Sequence, residues 1–438
     1  MSITTDRTPL LENGDSRRPK SFARRVRDIF KAEGEPSFLR SYKFFFFGSW
    51  LNILLLFVPL SGLAHYLNWD AALRFSFSFI AIMPLAALLG TATEQLSLKL
   101  GQVLSGLLNA SFGNAVEIIV GIAALLQGLA LLYLSLCTSL LGSILSNLLL
   151  VLGCSFLAGG IKYPESNFQV TAAQASSSLM TLACITLVIP AAYHSSKSHS
   201  GGLDNSTSID LAMKALGQNA DIGLDGLDID SVNGLRVISR GTAILLLLVY
   251  VAYLVFQLKT HAFLYVREPI ILPNGELAEE EEEEEAHMSV VAAGSSLLLV
   301  TVITSFCADW LVASIEETAE RYHIPKPFIG LILLPIVANA AEHVTSVWMA
   351  LKNKMELTIG ICVGSSIQIA AFVVPLLVIV GWATHHDLTL FFADFETIVL
   401  FVSVLLVNFL IQDGKSNYME GLMLVTLYLV IALAFWVS

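Results

Sequence analysis

Long apolar runs separated by short polar breaks fill the chain from residue 44 to its end. Runs long enough to cross about 30 Å of hydrocarbon as helices fall at 44–64, 75–92, 103–126, 130–158, 169–192, 238–258, 289–313, 327–351, 357–382, 391–411 and 419–437. A backbone surrounded by lipid must satisfy its own hydrogen bonds, so such runs read as helices. The pattern predicts an all-α polytopic membrane protein with eleven transmembrane helices.

Residues 1–42 are polar and basic, with Arg17, Arg18, Lys20, Arg24, Arg25, Arg27, Lys31 and Arg40 among them. No apolar core of signal-peptide type precedes the first run, so the segment reads as a tail and not as a cleaved leader. Basic residues next to a first membrane helix favour the cytoplasmic side. An odd number of spans then puts the C-terminus on the far side. Within the tail, Asp6-Arg7-Thr8-Pro9-Leu10-Leu11 resembles an acidic dileucine sorting signal for vacuolar or lysosomal delivery.

Two polar segments interrupt the series. Residues 194–236 carry Asp204, Asp210, Asp221, Asp225, Asp228 and Asp230 among Gly and Ser. Counted from Asp228 as an EF-hand, the fifth position is Val232 and the twelfth is Ser239, so the ligand pattern fails. A lumenal loop is expected there. The second segment holds Glu276 and then the unbroken run Glu279, Glu280, Glu281, Glu282, Glu283, Glu284 and Glu285. Such a block is commonly a solvated, self-repelling stretch, and crowded carboxylates also raise the local cation concentration. Both readings stay open.

Composition narrows the class. Of 438 residues, 55% are hydrophobic and 14% are charged, against about 25% charged in ordinary soluble proteins. Several soluble domains are thereby excluded. The formal net charge of -12 argues against nucleic acid as a partner. Cys137, Cys154, Cys184, Cys307 and Cys362 all lie in apolar stretches without a CxxC or Cys/His cluster, and read as small packing residues.

A repeat carries the functional reading. Setting the first span aside leaves two groups of five. The first contains Gly113-Asn114-Ala115-Val116-Glu117, and the second contains Ala338-Asn339-Ala340-Ala341-Glu342-His343. Upstream, Ala92-Thr93-Glu94 corresponds to Ser314-Ile315-Glu316. Downstream, Gly142-Ser143 before Ser146-Asn147 corresponds to Gly364-Ser365 before Gln368. Five is odd, so the halves must enter the membrane in opposite directions. The expected architecture is one N-terminal helix plus two inverted repeats of five helices, a transporter signature with ion sites near the midplane. In residues this gives a basic cytosolic tail over 1–42, a first helix over 43–65 and a first repeat over 72–258. An acidic cytosolic segment over 259–288 and a second repeat over 289–438 follow.

Asn114 and Glu117 are three residues apart and share a helix face, as do Asn339, Glu342 and His343 at spacings of three and four. A carboxylate deep in a membrane helix is costly unless paired, protonated or bound to a cation. The stripe Ser139, Gly142, Ser143, Ser146 and Asn147 and its counterpart Gly364, Ser365 and Gln368 suit close helix packing, and they also offer hydroxyl and amide oxygens. Oxygen ligands with two carboxylates suit Ca²⁺, and the lack of Cys or Met there argues against soft metals. His343 reads equally as a partner orienting Glu342 and as a proton carrier. Glu94, Asp309, Glu316 and Glu317 sit near span ends, either lining an access route or anchoring helices at the interface.

These motifs, the Gly-Ser helices and the acidic run together resemble the calcium/proton exchangers of the cation/calcium exchanger superfamily, and more closely its fungal vacuolar members. The resemblance covers roughly residues 40–438. One departure is Ala338, where the family usually has Gly. The resemblance implies Glu117 and Glu342 as central Ca²⁺ ligands, supported by Asn114, Asn339, Ser143 and Gln368. It implies an auto-regulatory or calcium-gathering role for the acidic segment, and a vacuolar membrane location with a cytosolic N-terminus and a lumenal C-terminus.

The function expected is secondary antiport. Glu117 and Glu342 would bind Ca²⁺ when deprotonated and release it on taking up protons, with His343 near the proton path and Glu94 and Glu316 on the access route. No cofactor is implied; Ca²⁺ is substrate, H⁺ the counter-ion, the bilayer the setting, and a homo-oligomer is left open. A Na⁺/Ca²⁺ exchanger shares these features, and a channel would lack coupling. An intramembrane hydrolase would need more than His385-His386-Asp387, a loop motif without a nucleophile-base partner.

Overall fold

A computed structural model describes residues 36–100, 108, 111–127, 130–200, 229–261, 286–386, 388–390 and 392–437. The dileucine-like stretch, the run Glu279 to Glu285, the acidic loop residues 204–228 and Asp387 lie outside the described residues. The described residues are helical almost throughout. Seven helices are long and apolar enough to cross a membrane, and two bent pairs of helices pass the same test jointly. Two shorter apolar helices, Ala115–Leu126 and Phe395–Leu410, accompany them. Broad apolar faces point outward, as with Leu245 and Leu248 or Leu429 and Leu433, each at least 60% exposed. Water does not tolerate contiguous surfaces of that kind, and lipid does.

The first apolar run is not one straight span. Helix α1 (Phe38–Phe47) ends at Gly48, and α2 (Trp50–Tyr66) leaves at 85°. Ser49 caps the new start by accepting from the Leu51 backbone N–H at 3.3 Å. A Gly-Ser pair is a recognised place for a helix to kink. Helix α3 (Ala71–Leu100) follows, then α4 (Ala115–Gln127). Helix α5 starts as Ala130–Leu145, runs through a π-turn at Ser146–Val151 and continues as Leu152–Lys162. Helix α6 (Val170–Ser200) and helix α7 (Ile229–Val255, ending in a π-turn at Phe256–Thr260) complete this half. Both ends of the expected loop 194–236 are therefore helical, because α6 and α7 continue past their apolar cores.

The second half opens with α8 (Val290–Tyr322), capped by the Ser289 hydroxyl and closed by His323 in the left-handed region at φ 53°. The next apolar run breaks into α9 (Lys326–Ala338) and α10 (Ala340–Leu351), bent by 58° at Asn339. Helix α11 (Met355–Ala383) carries a π-turn at Ile369–Val373, and α12 (Asp394–Leu410) and α13 (Tyr418–Val437) follow. Two short strands, β1 (Ser166–Asn167) and β2 (Lys415–Ser416), pair antiparallel before α6 and α13.

The halves interlock. Helices α3 and α8 pack along their length, α13 packs on the second part of α5, α6 on α12, and α7 on the end of α11. Helices α3 and α8 run antiparallel. Arg74 at the start of α3 pairs with Glu317 near the end of α8. At the other end, the Gln95 side chain accepts from the backbone N–H groups of His287 and Met288 at 2.7 and 3.1 Å. Helix α1 lies on that same face, where its Ser41 hydroxyl accepts from the Ser289 backbone N–H at 3.2 Å. Cys184, Cys307 and Cys362 are buried and free, and Cys154 is partly buried and free.

Glycine sets the closest approaches. A Cβ on Gly421 of α13 would collide with the Leu157 backbone nitrogen of α5, while one on Gly241 of α7 would meet open space. Gly421→Ala is expected to cost about 1–3 kcal/mol, the range for overpacking, and Gly241→Ala to leave thermal stability in detergent unchanged or raised.

Candidate functional site

Both motif carboxylates occupy the first turn of a half-helix. Glu117 follows a turn at Gly113-Asn114 and opens α4; Glu342 follows the break at Asn339 and opens α10. At the break the first half-helix closes with the Asn339 N–H on the Pro335 carbonyl at 2.9 Å, and the second opens with the His343 N–H on the Asn339 carbonyl at 3.0 Å. A helix start carries a partial positive charge that favours an anion. Facing these turns are the Gly-Ser segments of α5 and α11, each followed at once by a π-turn. Such turns recur at functional sites.

The polar side chains join across the two halves. Asn114 donates from Nδ2 to Gln368 Oε1 at 2.6 Å, and its Oδ1 accepts from the Ser365 hydroxyl at 2.9 Å. Ser365 also accepts from Asn147 Nδ2 at 3.0 Å. On the other side, Asn339 donates to the Ser143 backbone carbonyl at 3.3 Å. The residues that match in the repeat thus swap partners between halves.

Among the buried oxygens of this region that have no hydrogen-bond partner among the described residues, five are Glu117 Oε1, Glu342 Oε2, Ser143 Oγ, Asn147 Oδ1 and Asn339 Oδ1. Glu117 is 6% exposed, and Asn114, Ser143, Asn147 and Asn339 are still more buried. Glu342 is half-buried. The two carboxylates are close enough for their charges to act on each other. Leaving buried acceptors unpaired is costly, and a hard cation with oxygen ligands would satisfy all five. Among the described residues no three His, Cys, Asp or Glu side chains gather as a metal cage. The site is therefore two carboxylates filled out by amide and hydroxyl oxygens.

A cavity of about 920 Å³ leads to this place. Asn114, Glu342, Ser365 and Gln368 line its inner end, and Glu94, Gln257 and Glu356 line its way out. It opens on the face that holds α1, the end of α3 and the start of α8. The two flanks of segment 262–285 are on that face too.

The expected site residues are distributed as follows. Glu117, Glu342, Asn114, Asn339, Ser143 and Gln368 come together. His343 is half-buried, but the cavity wall passes from Glu342 to Val344 and Thr345 without it. Glu94 and Glu316 do not share one route: Glu94 lines the cavity, whereas Glu316 is on the opposite face, 3.3 Å from Lys326 Nζ. The physical reason is the antiparallel run of α3 and α8, which sends corresponding residues to opposite faces. Ser365 and Asn147 belong to the polar stripes, yet their spacing gives no sign that they bond each other across 218 positions.

Comparison with known proteins adds an independent line. A family model described as "Sodium/calcium exchanger protein" matches residues 71–259 and 293–437. A vacuolar calcium ion transporter of Schizosaccharomyces pombe is 44% identical over 388 residues, covering 89% of this chain and 85% of that protein. Vacuolar cation/proton exchanger 3 of Oryza sativa subsp. japonica is 40% identical over 406 residues, covering 92% and 89%. Among solved structures, native YfkE aligns with a TM-score of 0.68 at 32% identity, covering 89% of this chain and 99% of that one.

Ser365 is the hub of the cross-half network. Ser365→Ala should destabilise by about 1–3 kcal/mol, the cost of stranding buried partners. Ser366→Ala removes only a bond to the Cys362 carbonyl one turn back and should change thermal unfolding in detergent far less.

Proposed function

We propose, from the premise that the chain belongs to the sodium/calcium exchanger protein family, that it is a secondary antiporter carrying Ca²⁺ from the cytosol into the vacuole in exchange for H⁺. Members of the family are transporters and not enzymes, and the chain works without a cofactor. Its relatives are named as vacuolar calcium transporters and cation/proton exchangers. The observation that carries the reading is the pair Glu117 and Glu342, each with a buried oxygen left unpartnered, Glu342 at the inner end of the large cavity and Glu117 beside a small void.

Deprotonated, the two carboxylates bind one Ca²⁺ together with oxygens from Asn114, Asn339, Ser143 and Gln368. Protonated, they lose the charge that holds the cation. Each ion therefore excludes the other, and the carboxylates titrate as a unit. Exclusive occupancy is what coupling requires. Ca²⁺ affinity falls as pH falls, so cargo loads at cytosolic pH and leaves at the acidic side. His343 adjoins Glu342 and is assigned to the proton path.

Alternating access exposes the site to one face at a time, with α4, α5, α9, α10 and α11 moving against the α3–α8 frame. The antiparallel α3 and α8, and two polar segments each followed by a π-turn, support the eleven-span layout of one helix plus two inverted repeats of five. The cavity face is assigned to the cytosol with the N-terminus, and the C-terminus to the lumen. Gln257 and Leu258, just before the acidic segment over 259–288, line the cavity, which supports assigning that segment to gathering cations or regulating entry.

The test is radiolabelled Ca²⁺ uptake into proteoliposomes with an acidic interior. Uptake should collapse with a protonophore and vanish in both Glu117→Gln and Glu342→Gln. Uptake driven by Na⁺ and indifferent to pH would defeat the proton half of the reading.

A further inference from the structure

Helix α1 is fastened on one face and bare on the other. Its Ser41 hydroxyl holds the Ser289 backbone at the start of α8, and its Tyr42 hydroxyl lies 2.9 Å from Ser295 Oγ. The Phe44 ring meets the His287 ring at 4.8 Å between centroids. Asn52 of α2 locks the elbow by donating to the Phe45 and Phe46 carbonyls at 3.0 and 2.9 Å, oxygens that a helix end otherwise leaves open. On the opposite face Leu39, Lys43 and Phe47 recur every four residues and so form one stripe. Leu39 and Phe47, with Trp50 past the elbow, are more than 70% exposed. Arg40 is exposed next to them.

The frame sets the level at which that stripe lies. Helix α2 packs along α3, which is long and apolar enough to cross a membrane. The 85° bend therefore turns α1 across the membrane normal. Its bonds to Ser289 place it at the end of a span and not within one. A helix lying there with aromatic and basic side chains outward suits the plane where hydrocarbon meets headgroups. The charge is one-sided. Helix α1 carries no acidic residue, and among the described residues neither Arg40 nor Lys43 is in an ion pair. Between residues 17 and 31, seven Lys or Arg stand against Asp28 alone, with Glu33 and Glu35 between that block and α1.

We propose that the bare face of α1, with the basic block that precedes it, is a docking surface for anionic phospholipid headgroups on the cavity side of the membrane. Leu39, Phe47 and Trp50 enter the acyl boundary, and Arg40 and Lys43 extend along it to the phosphates. Phe44, Phe45, Gly48 and Ser49 line the large cavity, so the lipid that holds α1 also holds one wall of the way to Glu342. That consequence for the ion rests on the antiport reading above; the docking itself does not.

A bimane label on Phe47→Cys in proteoliposomes tests the surface, with the signal read above that of labelled unsubstituted protein. Brominated phosphatidylserine should quench the label more than brominated phosphatidylcholine does, and salt should narrow the difference. Arg40→Gln and Lys43→Gln should each lower the preference about fivefold, the scale of one basic side chain at an anionic surface, and leave Ca²⁺ uptake in phosphatidylcholine vesicles unchanged. Equal quenching by the two lipids, or a preference that survives both substitutions, overturns the proposal. So does a label that neither lipid reaches, which would mean that a second copy or the residues before 36 cover the face. Uptake indifferent to pH with the expected quenching would defeat proton coupling and leave the lipid surface standing.

Discussion

Two carboxylates held in a low-dielectric interior repel each other and cannot both stay charged without a cation between or beside them. Glu117 and Glu342 are in that position, and the surrounding structure is arranged around it. Each is placed in the first turn of a half-helix, where backbone N–H groups offset part of the charge. Among the described residues, the side chains lining the large cavity and the void beside Glu117 supply oxygens and include no Lys or Arg. A lysine or arginine there would satisfy the carboxylates permanently and leave nothing for a cation to do. The unpartnered oxygens of Ser143, Asn147 and Asn339 extend the same incompleteness.

Holding such a site requires a frame that does not depend on it. The α3–α8 pair supplies this, tied at one end by the Arg74–Glu317 pair and the 2.5 Å Arg321–Asp70 ion pair, and at the other by Gln95 on the backbone of His287 and Met288. The half-helices bearing the carboxylates are short and broken, and Gly142 of α5 lets the Leu331 carbonyl and Pro335 ring of α9 approach so closely that a Cβ would not fit. Helix length thus separates the long frame helices from the broken segments that carry the carboxylates.

Much of this is written locally in the chain. Apolar run lengths locate the long helices, and the spacings of Asn114 to Glu117 and of Asn339 to Glu342 locate the site. The bend at Gly48-Ser49 escaped the hydropathy reading because Phe44 to Phe47 and the leucines after Trp50 are equally apolar on both sides of it. Ends of helices past the hydrophobic core, as in α6 and α7, escaped for the opposite reason, because they continue into polar residues that hydropathy does not mark. The partners of Ser365 and of Glu316 could not be read at all. Asn114 and Asn147 reach Ser365 from the other half of the chain, and Lys326 reaches Glu316 only after α8 ends at His323 and the chain turns back. Nonlocal contacts of that kind follow from tertiary packing and leave no period in the sequence.

The central claim is that Ca²⁺ and H⁺ contend for the same two carboxylates. It is tested most directly by titrating Ca²⁺ into the purified protein in weakly buffered detergent solution and measuring released protons with a pH indicator. The account predicts that binding expels protons, and that a Glu117→Gln, Glu342→Gln double variant expels none. Tight Ca²⁺ binding by the unsubstituted protein with no proton release between cytosolic and vacuolar pH would contradict it.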